Sequence, residues 1–528
     1  KGDVKYTGLR TLLIKTDLGA TVRTIDNVTT VFDEASSKKS SIKHKTLAEA
    51  VADVNAAENQ IVQITDRDNA QFQYLTGLTP NTYDIVAADA ATLDLDLVPK
   101  DKFTVKAVGA TLGELGDNSG AFNRAFARTS GATVIVGDGK YGLGSTRLTI
   151  ANPLTVEMTA GAELIQLNTN RGIAIIQDTT DVYWYGNGAL LTHVRSSAGS
   201  NTFYVEGSSR VLIDGIKFDN SPKDIVYLGD SSAIPGNQNT DITVRNCEFL
   251  NGRRQGISVI HATRVHIEGC VFHDIVGDSP QAGIDLEANT ADQDVSDVTI
   301  TGCKFYDITA QAGLFIATAV NVSVYGNNFR NNSVGITISS VTANTNELTI
   351  IAVSNSTELF NVPSHGLKKG DRLFLTDTGG GTIPTGATEG EVYRVLDVPD
   401  INNFSLSTYY DAVPLNITDD GALPLQARVY REDKCADITI SDNTFQDMLT
   451  QAVFGDVATN INISDNIING CQSSIASIVL NNFDNTIIDN NIITEQTDGE
   501  GIFISGIRSK ISDNIVIGSP DEGIRFYG

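Results

Sequence analysis

Between residues 211 and 517 the chain repeats one short phrase nine times. Apolar residues alternate, two polar or small residues follow, then comes Cys or Asn, and then another apolar pair, as in Val265-HIEGCVF and Ile461-NISDNII. Aligned on the Cys/Asn position, the column reads Ile216, Cys247, Cys270, Cys303, Asn327, Asn443, Asn466, Asn491 and Asn514, with steps of 31, 23, 33, 24, 116, 23, 25 and 23. Five steps lie at 23–25, so the longer ones are the same period with something inserted. A second apolar strand echoes the first in Gly256-ISVI, Gly283-IDLE, Gly313-LFIA, Gly335-ITIS, Gly501-IFIS and Gly523-IRFY. Two-residue alternation puts Ile257 and Val259, or Ile284 and Leu286, on one face. One coil of this length cannot bury that face, whereas stacked coils bury it continuously.

The expected fold is therefore all-β, a parallel β-helix, right-handed by the preference for right-handed β-crossovers. Asn in the repeat column suits a turn, because it tolerates left-handed backbone and its amide can bond to the next coil. A Greek-key sandwich would not produce column identity at fixed spacing. Leucine-rich repeats would need Leu at the ladder positions, where this chain has Ile, Val and Phe.

The interruptions divide the chain. Residues 1–100 lack the repeat and read as a small α+β or β head, with a helical stretch near Thr46-LAEAVADVNA. Residues 101–340 form the first part of the β-helix. Its entry segment, Gly116-DNSGAFNRAFART, reads as a helix capped by Asp117 or Ser119, with Phe122 and Phe126 on the face that closes the end of the solenoid. The 116-residue step is one period plus about 92, and it delimits residues 341–432 as a Gly/Pro/Thr-rich insertion, a small β-barrel or sandwich that could bind sugar or merely decorate. Residues 433–528 continue the β-helix.

Composition excludes several function classes. A net charge of −26 argues against nucleic-acid binding and slows approach to polyanionic glycans unless a local basic groove exists. No apolar run approaches the 18 residues of a membrane span, and no charged-then-apolar leader marks a signal peptide. The abrupt ends are those expected of a piece of a longer protein. The five cysteines, three of them in the repeat column, lack zinc spacing and read as buried free thiols. No metal or other cofactor is expected.

On Gly283-IDLE, Ile284 and Leu286 point to the core, which leaves Asp285 and Glu287 on the outer face about 6.5–7 Å apart. Carboxyls at such spacing fit general acid plus base or nucleophile in glycoside hydrolysis, where separations of about 5–5.5 Å and 6.5–9.5 Å mark retaining and inverting enzymes. The same columns carry Ser258, Phe315 and Thr337, or Ile260, Ala317 and Ser339, so no other coil doubles its acids there. An exposed Phe315 would stack on a sugar, and Arg253 and Arg254 would grip carboxylate or hydroxyl groups. Weaker candidates are His261, His266 and His273 as acid or base, the serines of Gly229-DSS, and Asp292, Asp294 and Asp297 as calcium ligands. Paired surface acids on so acidic a chain are also common solvent decoration.

The stretch from Asn251-GRRQGISV to Gln281-AGIDLEA resembles the right-handed β-helix proteins of the pectate-lyase-like superfamily, and more narrowly phage tailspike polysaccharide depolymerases. Residues 341–432 are similar to a β-module that recurs in phage tail proteins. The resemblance covers about 103–528. It implies a homotrimeric spike on the virion tail that binds and cleaves a bacterial surface polysaccharide, mostly as a glycosidase, in some members as a lyase. It implies Asp285 and Glu287 as the catalytic acids and Arg253, Arg254 and Gln255 as the matching strand, with Ser258 and Phe315 beside them for substrate. Ala288 stands where the family often has Pro after the Glu.

Overall fold

The alternation of the repeat becomes three parallel strands per coil. The structure, a computed structural model, describes residues 11–15, 21–26 and 42–527, apart from short stretches at 77–84, 88–93, 340–345, 409–412 and 430–434 and some isolated positions. One coil runs through strands Gln255–Val259, Ala262–Glu268 and Val271–His273, and the next begins at Ala282–Leu286. Each strand pairs in parallel with its counterpart one coil on, Ile257 with Ile284, Val265 with Val298 and Phe272 with Phe305. The third strands build a 12-stranded sheet, and the first two belong to a 24-stranded sheet.

The core is a set of ladders. Phe218, Phe249, Phe272, Phe305, Phe329 and Phe445 stack with centroids 4.6–5.2 Å apart and planes within 10°. The coil spacing imposes this face-to-face geometry. These rings explain the glycine that opens the echo strands at Gly256, Gly283, Gly313 and Gly335. A Cβ on Gly283 would sit 2.7 Å from the Phe305 ring and 2.6 Å from the Gly313 carbonyl.

In the repeat column, Asn327, Asn443, Asn466 and Asn491 each donate from Nδ2 to Oδ1 of the next Asn at 2.8–3.1 Å. Each also bonds a buried carbonyl, as Asn466 does to Ile440 at 2.9 Å. The left-handed backbone expected of this column falls one residue earlier, on Gly302, Gly326, Asp442, Asp465, Asn490 and Asp513. The turn bends there, and the Asn behind it keeps an inward amide. All five cysteines are free and buried.

The entry helix spans Ser119–Ala127 and buries Phe122 and Phe126. Its N-cap is Asn118, without a side-chain bond to the helix, and Asp117 accepts from the Ser119 and Gly144 amides at 3.0 and 3.1 Å. Phe126 packs edge-on against Trp184 at 6.0 Å.

Between Asn346 and Val429 lies a seven-stranded antiparallel sheet with its own core, including Phe360, Leu373, Tyr393 and Phe404. Its buried Arg372 donates to the Asn482 carbonyl at 2.8 Å, which ties it to a later coil.

The chain divides into two compact units, Lys1–Lys100 with Lys106–Gly109, and Asp101–Val105 with Ala110–Gly528. The first holds a five-stranded sheet and a short helix, Leu47–Val51, opened by a Thr46/Glu49 capping box.

Candidate active site

The parallel register lines up Tyr204, Tyr227, Ser258, Asp285, Phe315 and Thr337 on successive rungs of one outward column. Around Asp285 the column closes into a polar cluster. Asp224 and Gln255, three residues before Tyr227 and Ser258, join the same cluster. Arg254 grips the fully buried Asp224 through Nε and Nη2 at 2.7 and 2.9 Å, and its Nε also meets Gln255 Oε1 at 3.1 Å. Gln255 donates from Nε2 to Asp285 Oδ2 and accepts from the Ser258 hydroxyl. Glu287 lies close enough for its charge to act on the Asp285 carboxyl.

This differs from the sequence expectation in three ways. Asp285 faces away from the solenoid core but is fully buried, as are Gln255 and Ser258, because neighbouring rungs and the Gln255 and Glu287 side chains cover it. Its Oδ1 has no hydrogen-bond partner, and Glu287 is the half-buried member of the pair. Phe315 is 5% exposed and packs with Ala282 and Ala317, so it offers no open stacking face. Arg253 turns away to pair with Asp278 at 2.7 Å in the loop after Val276.

Crowding acids in a covered site sets their protonation. Burial, then the charges of Glu287 and Asp224, push the Asp285 carboxyl well above the usual range against the pull of Arg254. Burial also raises Glu287, opposed by the Asp285 hydrogen bond and Arg254. Burial raises Asp224 in turn, opposed by Arg254 and Ser258. The Tyr227 phenol is pushed up to about 12 by burial and by Asp224, Glu206 and Asp230. Two neighbouring buried carboxyls cannot both ionise freely, so the pair holds a proton in a range where ordinary carboxyls have lost theirs.

Asp224 escaped the sequence reading. Its signal was weak: an acid in Lys223-DIVYL at the rung that holds Gln255 one coil later. The other candidates fall elsewhere. His261 pairs with Asp230, which also accepts from Gln293 at 2.7 Å, and His266 meets Glu268 at 3.3 Å on the outer face of a strand whose Val265 and Ile267 are buried. His273 stacks on Tyr306 at 4.7 Å and bonds Glu248. Ser231 donates to Asp178 and Ser232 to Glu206, each at 2.7 Å, and neither meets a histidine. Asp292 lies outside the described residues. Asp297 accepts from Asn321, and no group of three or more His, Cys, Asp or Glu among the described residues is placed to hold a metal ion. A cavity of about 650 Å³ in the inserted sheet, lined by His365, Lys368, Val398 and Ile401, contains none of the expected site residues.

Residues 156–349 match the family described as right handed beta helix region. Outside the first unit and the inserted sheet, the described chain is a right-handed parallel β-helix. Residues 428–528 match a second family, periplasmic copper-binding protein (NosD). That stretch of the β-helix has no histidine, and its Cys435, Cys471 and Met448 are fully buried, so its residues do not fit a copper site.

Among solved structures the β-helix is similar to the tailspike protein gp49 of Acinetobacter baumannii bacteriophage Fri1, a capsular polysaccharide depolymerase. The TM-score is 0.55 at 10% identity, covering 92% of this chain and 75% of that one. It is also similar to the Azotobacter vinelandii mannuronan C-5 epimerase AlgE4 A-module, with TM-score 0.51 and 12% identity over 81% and 98% of the two chains. At such identities the likeness is one of fold. A 113-residue stretch is 30% identical to the SPbeta prophage-derived uncharacterized protein YorA of Bacillus subtilis (strain 168), 19% of either chain. The match thus spans about a fifth of the length of that curated relative. No described helix is long and apolar enough to cross a membrane.

Proposed function

We propose that this β-helix is a tailspike-type depolymerase of the virion tail that binds and hydrolyses a bacterial surface polysaccharide. The observation that carries the reading is the Asp285–Glu287 pair, neighbouring carboxyls that burial holds protonated above the usual range, backed by the Asp224–Arg254 ion pair. Such a pair supplies an acid and a base at the same pH. Glu287 reaches solvent and meets the glycan, and Asp285 beneath it holds the proton. The proton passes through Glu287 to the glycosidic oxygen as that oxygen's bond to the anomeric carbon breaks. Water adds its hydroxide to that carbon and returns a proton to the ionised carboxyl. Gln255 and Ser258 orient Asp285 from behind.

A lyase would need an arginine to neutralise a uronate carboxylate. Arg253 is committed to Asp278 and Arg254 to Asp224, so that reading ranks second. Assembly as a homotrimer belongs to the proposal. It is supported by the in-register Ile467, Ile492 and Ile515, which are 40–50% exposed on the outer side of the third sheet.

The test is digestion of purified capsular polysaccharides with mass analysis of the products. Hydrolysis leaves one added water per cut, whereas elimination leaves an unsaturated uronate. Asp285→Asn should lower the rate of reducing-end release by at least about a hundredfold. A folded Asp285→Asn protein that cuts at the parent rate would remove the pair from the mechanism.

A further inference from the structure

Arg147, like Arg330 over Tyr306, stands outside the ion pairing that holds most solenoid arginines. Seven of them sit in ion pairs with Asp or Glu, such as Arg210 with Asp181 and Arg264 with Asp241. In a chain with 64 acids against 38 bases, such pairing is the ordinary outcome. Arg147 makes no ion pair among the described residues. Its guanidinium lies over the Tyr204 ring at 4.7 Å, and Tyr204 packs edge-on against Tyr227 at 5.8 Å.

This arrangement is held in place. The Tyr204 hydroxyl accepts from the Asn201 amide at 3.0 Å, and a Cβ on Gly172 would meet the ring at 2.9 Å. Both tyrosines are only half-buried. Besides Arg147, the charge acting on Tyr204 is that of Asp224, which Arg254 neutralises. Tyr204 and Tyr227 stand on the column that leads through Ser258 to Asp285. Three rungs at the usual strand spacing put Tyr204 about 14 Å from Asp285 along the helix axis.

We infer that Arg147, Tyr204 and Tyr227 form a glycan subsite for a sugar bearing a carboxylate, toward the N-terminal coils from the cleaved bond. The inference rests on the depolymerase reading. Aromatic faces take the apolar side of a pyranose, and a guanidinium without an acid partner keeps its planar fork for a carboxylate. It also supplies the local cation that lets an acidic polymer approach a chain of net charge −26.

The test compares the polysaccharide that the protein cuts, chosen from purified capsular polymers of known repeat, with its carboxyl-reduced form. Parent, Arg147→Gln and Arg147→Lys proteins are used, and kcat and KM are measured separately. Carboxyl reduction is expected to raise the parent's KM about tenfold, the scale of one hydrogen bond to a charged group, with the loss falling on KM rather than kcat. Arg147→Gln should bind native and reduced polymer equally, and Arg147→Lys should fall between. A neutral substrate, or a reduction effect equal in parent and Arg147→Gln, overturns the subsite and leaves the depolymerase standing. A parent protein that neither binds nor cuts any polymer overturns the depolymerase reading and the subsite with it.

Discussion

Asp285 shows how a residue legible in the sequence acquires its chemistry from neighbours that are not. Alternation alone put it on the outer side with Glu287. Its burial, the charge of Glu287 beside it and the Asp224–Arg254 pair behind it come from three different coils. The raised carboxyls predict how stability varies with pH. A group whose folded pKa lies above its unfolded value binds more protons folded than unfolded, so stability falls as pH rises through the interval between the two. For Asp285 and Glu287 that interval opens near about 4, the ordinary carboxyl value, and extends upward. Melting temperature measured from pH 4 to 8 should therefore decline in the parent relative to an Asp285→Asn/Glu287→Gln double variant. A parallel pair of curves would mean that the carboxyls titrate normally. Arg253 and Arg254 make the complementary point. They are neighbours in sequence, yet one serves a surface loop and the other the buried cluster, because strand Gln255–Val259 begins between them and the next side chain.

At the scale of elements, the ladders carry the fold. Phe272 stacks between Phe249 and Phe305 at 4.7 and 4.8 Å, so Phe272→Ala opens a gap that rigid coils above and below cannot close. The expected cost is about 3–5 kcal/mol, measured by denaturant unfolding. Asn466→Leu keeps the size but removes bonds to Ile440, Ser464 and Asn491, and leaves Asn443 without its acceptor. Each orphaned buried group costs about 1–3 kcal/mol, so this variant should lose at least as much as the Phe change. These ladders were readable because each residue's neighbours recur one period away. The conformational detail was not: the left-handed residue sits before the Asn column, since an inward amide and the chain reversal need adjacent positions. The buried Phe315 was missed for a related reason. Its face is outward from its own strand, and only the neighbouring rungs decide whether outward means exposed.

Over the whole molecule, the 116-residue step from Asn327 to Asn443 contains the antiparallel sheet between Asn346 and Val429, and the coils on either side pair as though it were absent, Phe329 with Phe445. Arg372 joins that sheet to the coil of Asn482, with Asp456 close enough to feel its charge. Arg372→Met should speed proteolysis within 346–429 while leaving the Phe and Asn ladders intact, and equal cleavage rates would assign the joint to other contacts. Ile492→Lys tests the proposed trimer, since a charge in the middle of the isoleucine ladder should give monomers by light scattering.

The sequence by itself determined the period, the strand faces, the stacked ladders and the place where a second sheet interrupts them. These properties are one-dimensional, because each coil mainly meets the coil before and the coil after. Tertiary structure alone decided which acids are buried together, which arginines are neutralised and which remain available. Those outcomes depend on lateral distances between side chains from coils of unequal length, and on burial, which turns a few ångströms of separation into a change of charge state.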